Sequence, residues 1–233
     1  MFKWLMKSLP RIIGLRRSHY RKRPGKLAFL KQYQVRTVLD IGANVGQSAL
    51  EIRAHLRDAQ IYSFEPLSDC FQKLSSAMAG DTKFRAFPFA LGAKNEQISI
   101  HKSAYSPSSS LVEMGKLHKE AFPHSAESHD ERVEVRRLDD VAPELILKDD
   151  VLIKMDVQGF ESKVIDGGEK TMGAARVVIL ENSFYELYVG QALFDELYER
   201  MKQLGFSYRG SIGQKYHPET GVILFEDSVF IRA

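Results

Sequence analysis

Residues 36–66 carry the arrangement that most restricts the fold. Arg36–Ile41 (R-T-V-L-D-I) is a β-branched apolar run, Val45–His55 has helical spacing, and Gln60–Phe64 is apolar again. Between the first strand and the helix lies Asp40-Ile41-Gly42-Ala43-Asn44-Val45-Gly46. Glycine lets the backbone turn tightly and approach a ligand closely. The helix that follows offers free N–H groups and the positive end of its dipole. Strand, loop, helix and strand in alternation predict a parallel sheet covered on both faces. The alternation continues through a helix at Ser68–Ala77, with Ser68 placed as its N-cap. Strands follow at Lys83–Ala90, Gln97–Lys102, Arg132–Leu138, Val151–Val157 and Arg176–Leu180, with helices at Phe160–Ile165 and Ala192–Leu204. Two strands, Phe206–Tyr208 and Val222–Ile231, close the chain, and a short helix at Lys26–Gln34 precedes the first strand. Residues 103–130, rich in Ser, His and charge, read as a long loop, which in a compact domain is usually a lid or binding loop, or disordered.

The spacing of the glycine loop bears on what it binds. A dinucleotide site uses G-x-G-x-x-G to hold a pyrophosphate, whereas this loop is G-x-x-x-G preceded by Asp40. An acid there repels a pyrophosphate but suits an ammonium group, such as that of the aminoacyl moiety of S-adenosylmethionine. Phe64-Glu65-Pro66 ends the next strand, and Glu65 stands 19 residues past Gly46. A carboxylate about 20 residues beyond a glycine loop is placed to accept both hydroxyls of a ribose. Asp40, Gly42, Ala43, Asn44, Gly46, Glu65 and Pro66 are therefore the candidate cofactor residues. An NAD-dependent oxidoreductase is the competing enzyme reading, and the glycine spacing argues against it.

Charge is unevenly spread. Residues 1–26 hold nine Lys or Arg and no acid, and taking those nine from the chain's 33 basic residues leaves 24 against 30 acidic ones. The remainder is therefore acidic, which disfavours a nucleic-acid partner. Residues 1–25 read as a basic amphipathic leader, with Trp4, Leu5, Leu9, Ile12 and Ile13 among the cations, and residues 26–233 as the catalytic domain. The leader is expected to be a basic tail, with contact to an anionic membrane surface as the alternative. The single cysteine, Cys70, excludes an internal disulfide and a cysteine-rich zinc site. A cytoplasmic protein, peripheral to the membrane in the alternative, is expected. Oligomeric state is left open.

The motifs together resemble the FkbM family of class I S-adenosylmethionine-dependent methyltransferases. The matching stretches are V-L-D-I-G-A-N-V-G (38–46), F-E-P (64–66), A-L-G (90–92), S-S-S-L (108–111), R-R-L-D-D-V (136–141), I-K-M-D-V-Q-G-F-E (153–161) and I-L-E-N (179–182), in family order. The chain departs at Gln158, where Glu is expected in many members, which weakens the case for a catalytic role there. The resemblance implies a Rossmann-like α/β fold with a seven-stranded, mostly parallel sheet and an antiparallel final hairpin. It implies S-adenosylmethionine contacts from the 40–46 loop, Glu65 and the Ala90-Leu91 region. It also implies O-methylation of a hydroxyl on a sugar, glycan or other natural product, so the expected partner is a small-molecule or glycan acceptor. A cofactor-fold binding module without catalysis is the reading from a different class.

Asp156, Lys154 and Glu181 are further candidate catalytic groups. Asp156 ends a strand at the carboxyl edge of the sheet, where ligands bind in open α/β folds. It could contact the cofactor and orient the acceptor hydroxyl or take its proton, or it could cap the next helix. Lys154, two residues earlier, lies on the same strand face and could pair with Glu161 or Glu181. Glu161 suits the start of a helix. Glu181-Asn182 ends the neighbouring strand, so Asp156, Glu181 and Asn182 could hold Mg²⁺. The favoured alternative pairs Glu181 with Lys154 and has Asn182 cap a turn, without metal. His118, His124 and His129 in the long loop are expected to be surface residues, with lining of the acceptor pocket as the alternative, and Ser108–Ser110 either contact cofactor or acceptor or form flexible loop. Phe184, Tyr185, Tyr188 and Phe194 read as core and lid packing.

Overall fold

The computed structural model describes residues 25–232. The leader proposed at residues 1–25 therefore lies outside the described residues but for Gly25. The chain forms an α/β sandwich around one seven-stranded sheet. Its strands are β1 (Thr37–Ile41), β2 (Gln60–Phe64), β3 (Phe84–Phe87), β7 (Val151–Met155), β8 (Val177–Ser183), β9 (Phe206–Tyr216) and β10 (Ile223–Arg232). Their order is β3-β2-β1-β7-β8-β10-β9, and β10 runs antiparallel to both neighbours. The expected seven strands and final hairpin are both present. The order reverses between β1 and β7, and ligands in such sheets bind outside the carboxyl ends of the strands at that switch.

Burial explains why these segments are strands. All five residues of β1 and all seven of β8 are buried, as expected for strands covered on both faces. One face packs Leu39, Ile41, Ile153, Met155 and Leu180 into the larger core cluster, and the other packs Val38, Ile61, Leu152 and Ile179. Asp40 and Lys154 are paired across β1 and β7, and Glu181 and Asp227 across β8 and β10. Alternation thus leaves a row of ionisable groups within an otherwise apolar face.

The helices are α1 (Gln47–His55), α2 (Ser68–Ala77), α3 (Lys116–Ala121), α4 (Leu138–Val141), α5 (Glu161–Gly173) and α6 (Phe194–Gln203). A second, three-stranded sheet of β4 (Ala90–Leu91), β6 (Ser128–Arg136) and β5 (Glu96–Ser103) lies beside the first.

Several boundaries differ from the sequence reading. The expected strand 83–90 breaks after Phe87, and Ala90-Leu91 joins the small sheet instead. The expected loop 103–130 contains α3 and the start of β6. Helix α5 continues past the expected end at Ile165, with a kink at Gly168, whose backbone is not helical. The glycines are there for contact: a Cβ on Gly167 would lie 1.8 Å from the Gly92 carbonyl oxygen. Leu67, not Ser68, takes the N-cap position of α2, and the Ser68 hydroxyl donates to Glu131. Among the described residues, no helix is long and apolar enough to cross a membrane.

Candidate active site

A cavity of about 320 Å³ opens at the carboxyl ends of β1, β2 and β7. One side is the β1–α1 loop. Gly42, Asn44 and Gly46 all take left-handed backbone, with φ of 79°, 48° and 97°. Gly42 is required twice over, since a Cβ there would also lie 1.9 Å from the Asp156 carbonyl oxygen. Asn tolerates this conformation because its short side chain bonds the local backbone, and here Asn44 Oδ1 accepts from Val45 N–H at 2.8 Å. Gln47 and Ser48 open α1 and line the cavity, so the positive end of that helix faces it.

Glu65 forms the adjoining wall. Its Oε2 accepts from Asn44 N–H at 2.8 Å and its Oε1 from Leu67 N–H at 2.9 Å, which ties the loop to the end of β2. Burial pushes its carboxyl up to about 7, against the lowering effect of those two bonds. A carboxylate has about four acceptor sites, so both oxygens keep capacity for a ligand.

The opposite wall is ionisable. Asp156 has about a third of its side chain exposed, Lys154 Nζ donates to its Oδ2 at 3.1 Å, and both line the cavity. Burial opposes the charge of Lys154, but Asp156 and Asp40 outweigh it and hold the ammonium well above its usual range. Glu181 stands behind this pair and does not line the cavity. Burial, then Asp156 and Glu161, push its carboxyl well up. Gln158 joins the two acids: its Nε2 donates to Asp156 Oδ1 at 2.7 Å and to Glu181 Oε1 at 3.0 Å.

A cover closes over the cavity from residues 105–111. The Ser106 hydroxyl donates to Asn44 Oδ1 at 3.2 Å, the Ser110 hydroxyl donates to the Gln158 carbonyl at 2.6 Å, and the Tyr188 hydroxyl oxygen lies 3.2 Å from the Ser108 carbonyl. The cover is thereby fastened to both walls.

The Methyltransferase FkbM domain matches residues 40–208 of this chain. The chain belongs to the FkbM methyltransferase family. It is 34% identical over 160 residues to the 2-O-methyltransferase NoeI of Sinorhizobium fredii, covering 66% of this chain and 66% of that one. It is 31% identical over 174 residues to the methyltransferase sdnD of Sordaria araneosa, covering 62% of this chain and 65% of that one. The matches thus span just under two thirds of each relative. The crystal structure of methyltransferase FkbM from Methylobacillus flagellatus KT superposes with a TM-score of 0.50 at 13% identity. That match covers 85% of this chain and 44% of the other, and is a likeness of fold.

For an FkbM methyltransferase, the placement of the expected residues is informative. Gly42, Ala43, Asn44, Glu65, Pro66, Ala90, Leu91, Lys154 and Asp156 converge on the cavity. Asp40 and Gly46 do not line it. Asp40 is fully buried beneath the loop, where its Oδ2 accepts from the Ser63 hydroxyl at 3.1 Å. Burial raises its carboxyl and Lys154 opposes that shift. Lys154 pairs with Asp156 rather than with Glu161 or Glu181. Glu161 Oε1 accepts from the N–H groups of Val157 and Gly159 at 3.2 and 3.3 Å, a structural task at the start of α5. Asn182 does not cap a turn: it lies inside β8, buried, with neither side-chain polar atom bonded. As the residue next to Glu181 on a strand, it points to the other face, so the three residues of the alternative metal site do not converge. Among the described residues, no group of three or more His, Cys, Asp or Glu could hold a metal. His118, His124 and His129 do not line the cavity. His118 packs edge-on to Phe122 and Tyr188, and burial lowers its ring to about 4.

Gln158 and Tyr188 are the residues that sequence reasoning undervalued. Their signal was indirect: a polar residue before Gly159 at a strand end, and a tyrosine in an aromatic stretch.

Proposed function

We propose that the protein methylates a hydroxyl oxygen of a small-molecule or glycan acceptor, using S-adenosylmethionine as donor. The observation that carries this reading is Glu65, a buried carboxylate on the cavity wall, bonded to the glycine loop through Asn44. The residues present suit the donor. Glu65 would hold the ribose hydroxyls, the α1 terminus at Gln47 and Ser48 the aminoacyl carboxylate, and Leu91 and Phe64 the apolar flank of the adenine. When bound, S-adenosylmethionine supplies a methyl group on a sulfonium, to which the acceptor oxygen bonds as the methyl–sulfur bond breaks and sulfur keeps its electron pair. Asp156 orients the acceptor hydroxyl and takes its proton. Lys154 holds Asp156 in place and balances its charge. The cover at 105–111 excludes water from the reacting atoms. The name of the Sinorhizobium relative, a 2-O-methyltransferase, favours oxygen as the acceptor atom.

Labelled methyl transfer to a panel of hydroxylated sugars and small molecules tests the reading. Incorporation that disappears in Asp156→Asn is the expected result. Transfer only to amines would sink the oxygen assignment, and a folded protein that binds the donor but labels nothing would favour the binding module.

A further inference from the structure

Gln158 occupies the turn between β7 and α5 with φ of 54°, a conformation that costs a non-glycine residue energy. Contacts from two sides keep it there. The Ser110 hydroxyl donates to its backbone carbonyl, and the Tyr188 hydroxyl donates to its Oε1 at 2.7 Å. An amide nitrogen has two protons and no acceptor capacity, and both protons are used, one on Asp156 and one on Glu181. With Nε2 turned toward the two acids, Oε1 is left to accept from the Tyr188 hydroxyl.

The surroundings explain why a neutral donor belongs there. Asp40, Asp156, Glu181 and Asp227 act on one buried ammonium, that of Lys154. Burial raises the carboxyls of Asp40, Glu181 and Asp227, and Asp156 adds to the rise in each. These three are thus held toward the protonated form. Asp156 is the acid that both touches Lys154 and opens on the cavity.

We propose that Gln158 is a positioning residue whose amide takes the place a divalent cation would need between Asp156 and Glu181, holding Asp156 toward the acceptor so that proton transfer needs no metal. A bridging cation would require the two oxygens now bonded to Nε2, at about 2.0–2.6 Å, and the amide presents two positive N–H ends toward the same point. The description of Asp156 as facing an acceptor rests on the methyl-transfer reading. The exclusion of a cation does not, and the experiment keeps the two apart.

The full chain with ¹³C-labelled Asp and Glu carboxyls is followed by NMR in three forms: wild type, Gln158→Glu and Tyr188→Phe. Circular dichroism first shows that each is folded. Manganese(II) is the probe. It is expected to leave the Asp156 and Glu181 signals sharp in the wild type and to broaden both, saturably, in Gln158→Glu. In Tyr188→Phe the amide loses its anchor, and the Glu181 midpoint is expected to rise by about half a pH unit or more, since a donor to the charged form is weakened. Wild-type methyl transfer is expected to be unchanged in EDTA. Saturable broadening of Asp156 and Glu181 in the wild type would overturn the proposal, as would loss of transfer in EDTA with rescue by Mg²⁺. So would a folded Gln158→Glu that binds no Mn²⁺, or a Glu181 midpoint indifferent to Tyr188→Phe. If the NMR results are as expected but the chain does not bind S-adenosylmethionine, the methyl-transfer reading fails and the cation exclusion stands.

Discussion

The two walls of the cavity are built in different ways. The Glu65 wall is local: the loop 42–46 and the end of β2 lie within one strand–helix–strand unit, and their bonds run mostly through backbone N–H groups. The Asp156 wall is assembled from distant parts of the chain. Lys154, Asp156 and Gln158 come from β7 and its turn, Glu181 from β8, Tyr188 from beyond β8, and the contacts are between side chains. A wall of backbone donors suits a ligand part that stays the same, and a wall of side chains can be altered one residue at a time. In this account the first wall holds the donor and the second handles the acceptor. Substitutions in the two walls should therefore fail in separable ways.

The largest effect is expected where the walls touch. Gly42→Ala places a Cβ against the Asp156 carbonyl and forces a left-handed alanine. Thermal or denaturant unfolding should show a loss of roughly 3 kcal/mol or more, from the backbone strain together with the clash. Asp156→Asn comes next. It should lower the rate of methyl transfer by about 10²- to 10⁴-fold, the usual range for a lost general base, with donor affinity changed little. A matching collapse of donor affinity would blur the division between the walls. Glu65→Ala should do the reverse, weakening donor binding by roughly 10- to 100-fold through lost charge-assisted bonds.

A smaller effect separates the walls by pH. Burial pushes both Glu65 and Glu161 up to about 7, above their usual value of 4.5. A carboxyl raised by folding contributes stability that is present below its unfolded value and is lost as pH rises through its folded value. The ligand-free protein should thus lose stability between about pH 4.5 and 7, and Glu161→Gln should flatten part of that slope in a series of melting curves. Donor affinity should rise over the same window as Glu65 ionises, and a flat binding profile would argue against its contact with the ribose.

The same contrast governs how much could be read from the sequence. The Glu65 wall was legible because its parts are close in the chain and each has a local cause: glycine for positive φ, an acid at a strand end, a helix start. The parallel sheet also followed from the alternation, and its seven strands and final hairpin from the family resemblance. The Asp156 wall was legible in Asp156, Lys154 and Glu181, but not in how they are joined. That Gln158 bonds two of them at once depends on Tyr188, 30 residues further on, and on a turn whose first left-handed residue is not glycine. The expected turn cap at Asn182, and the alternative of Asn182 as a Mg²⁺ ligand, both failed for a related reason: the residue lies inside β8, and strand alternation turns it away from its neighbour Glu181. The helix expected to stop at Ile165 continues because Gly167 lets Gly92 pack closely against it, a contact the sequence does not show.

Calorimetric titration of the full chain with S-adenosylmethionine tests the central claim most directly. Saturable binding with one site per chain is expected, substantially weakened in a folded Glu65→Ala and nearly unchanged in Asp156→Asn. A folded protein that gives neither heat nor thermal stabilisation with S-adenosylmethionine, or one whose binding is indifferent to Glu65→Ala, would contradict it.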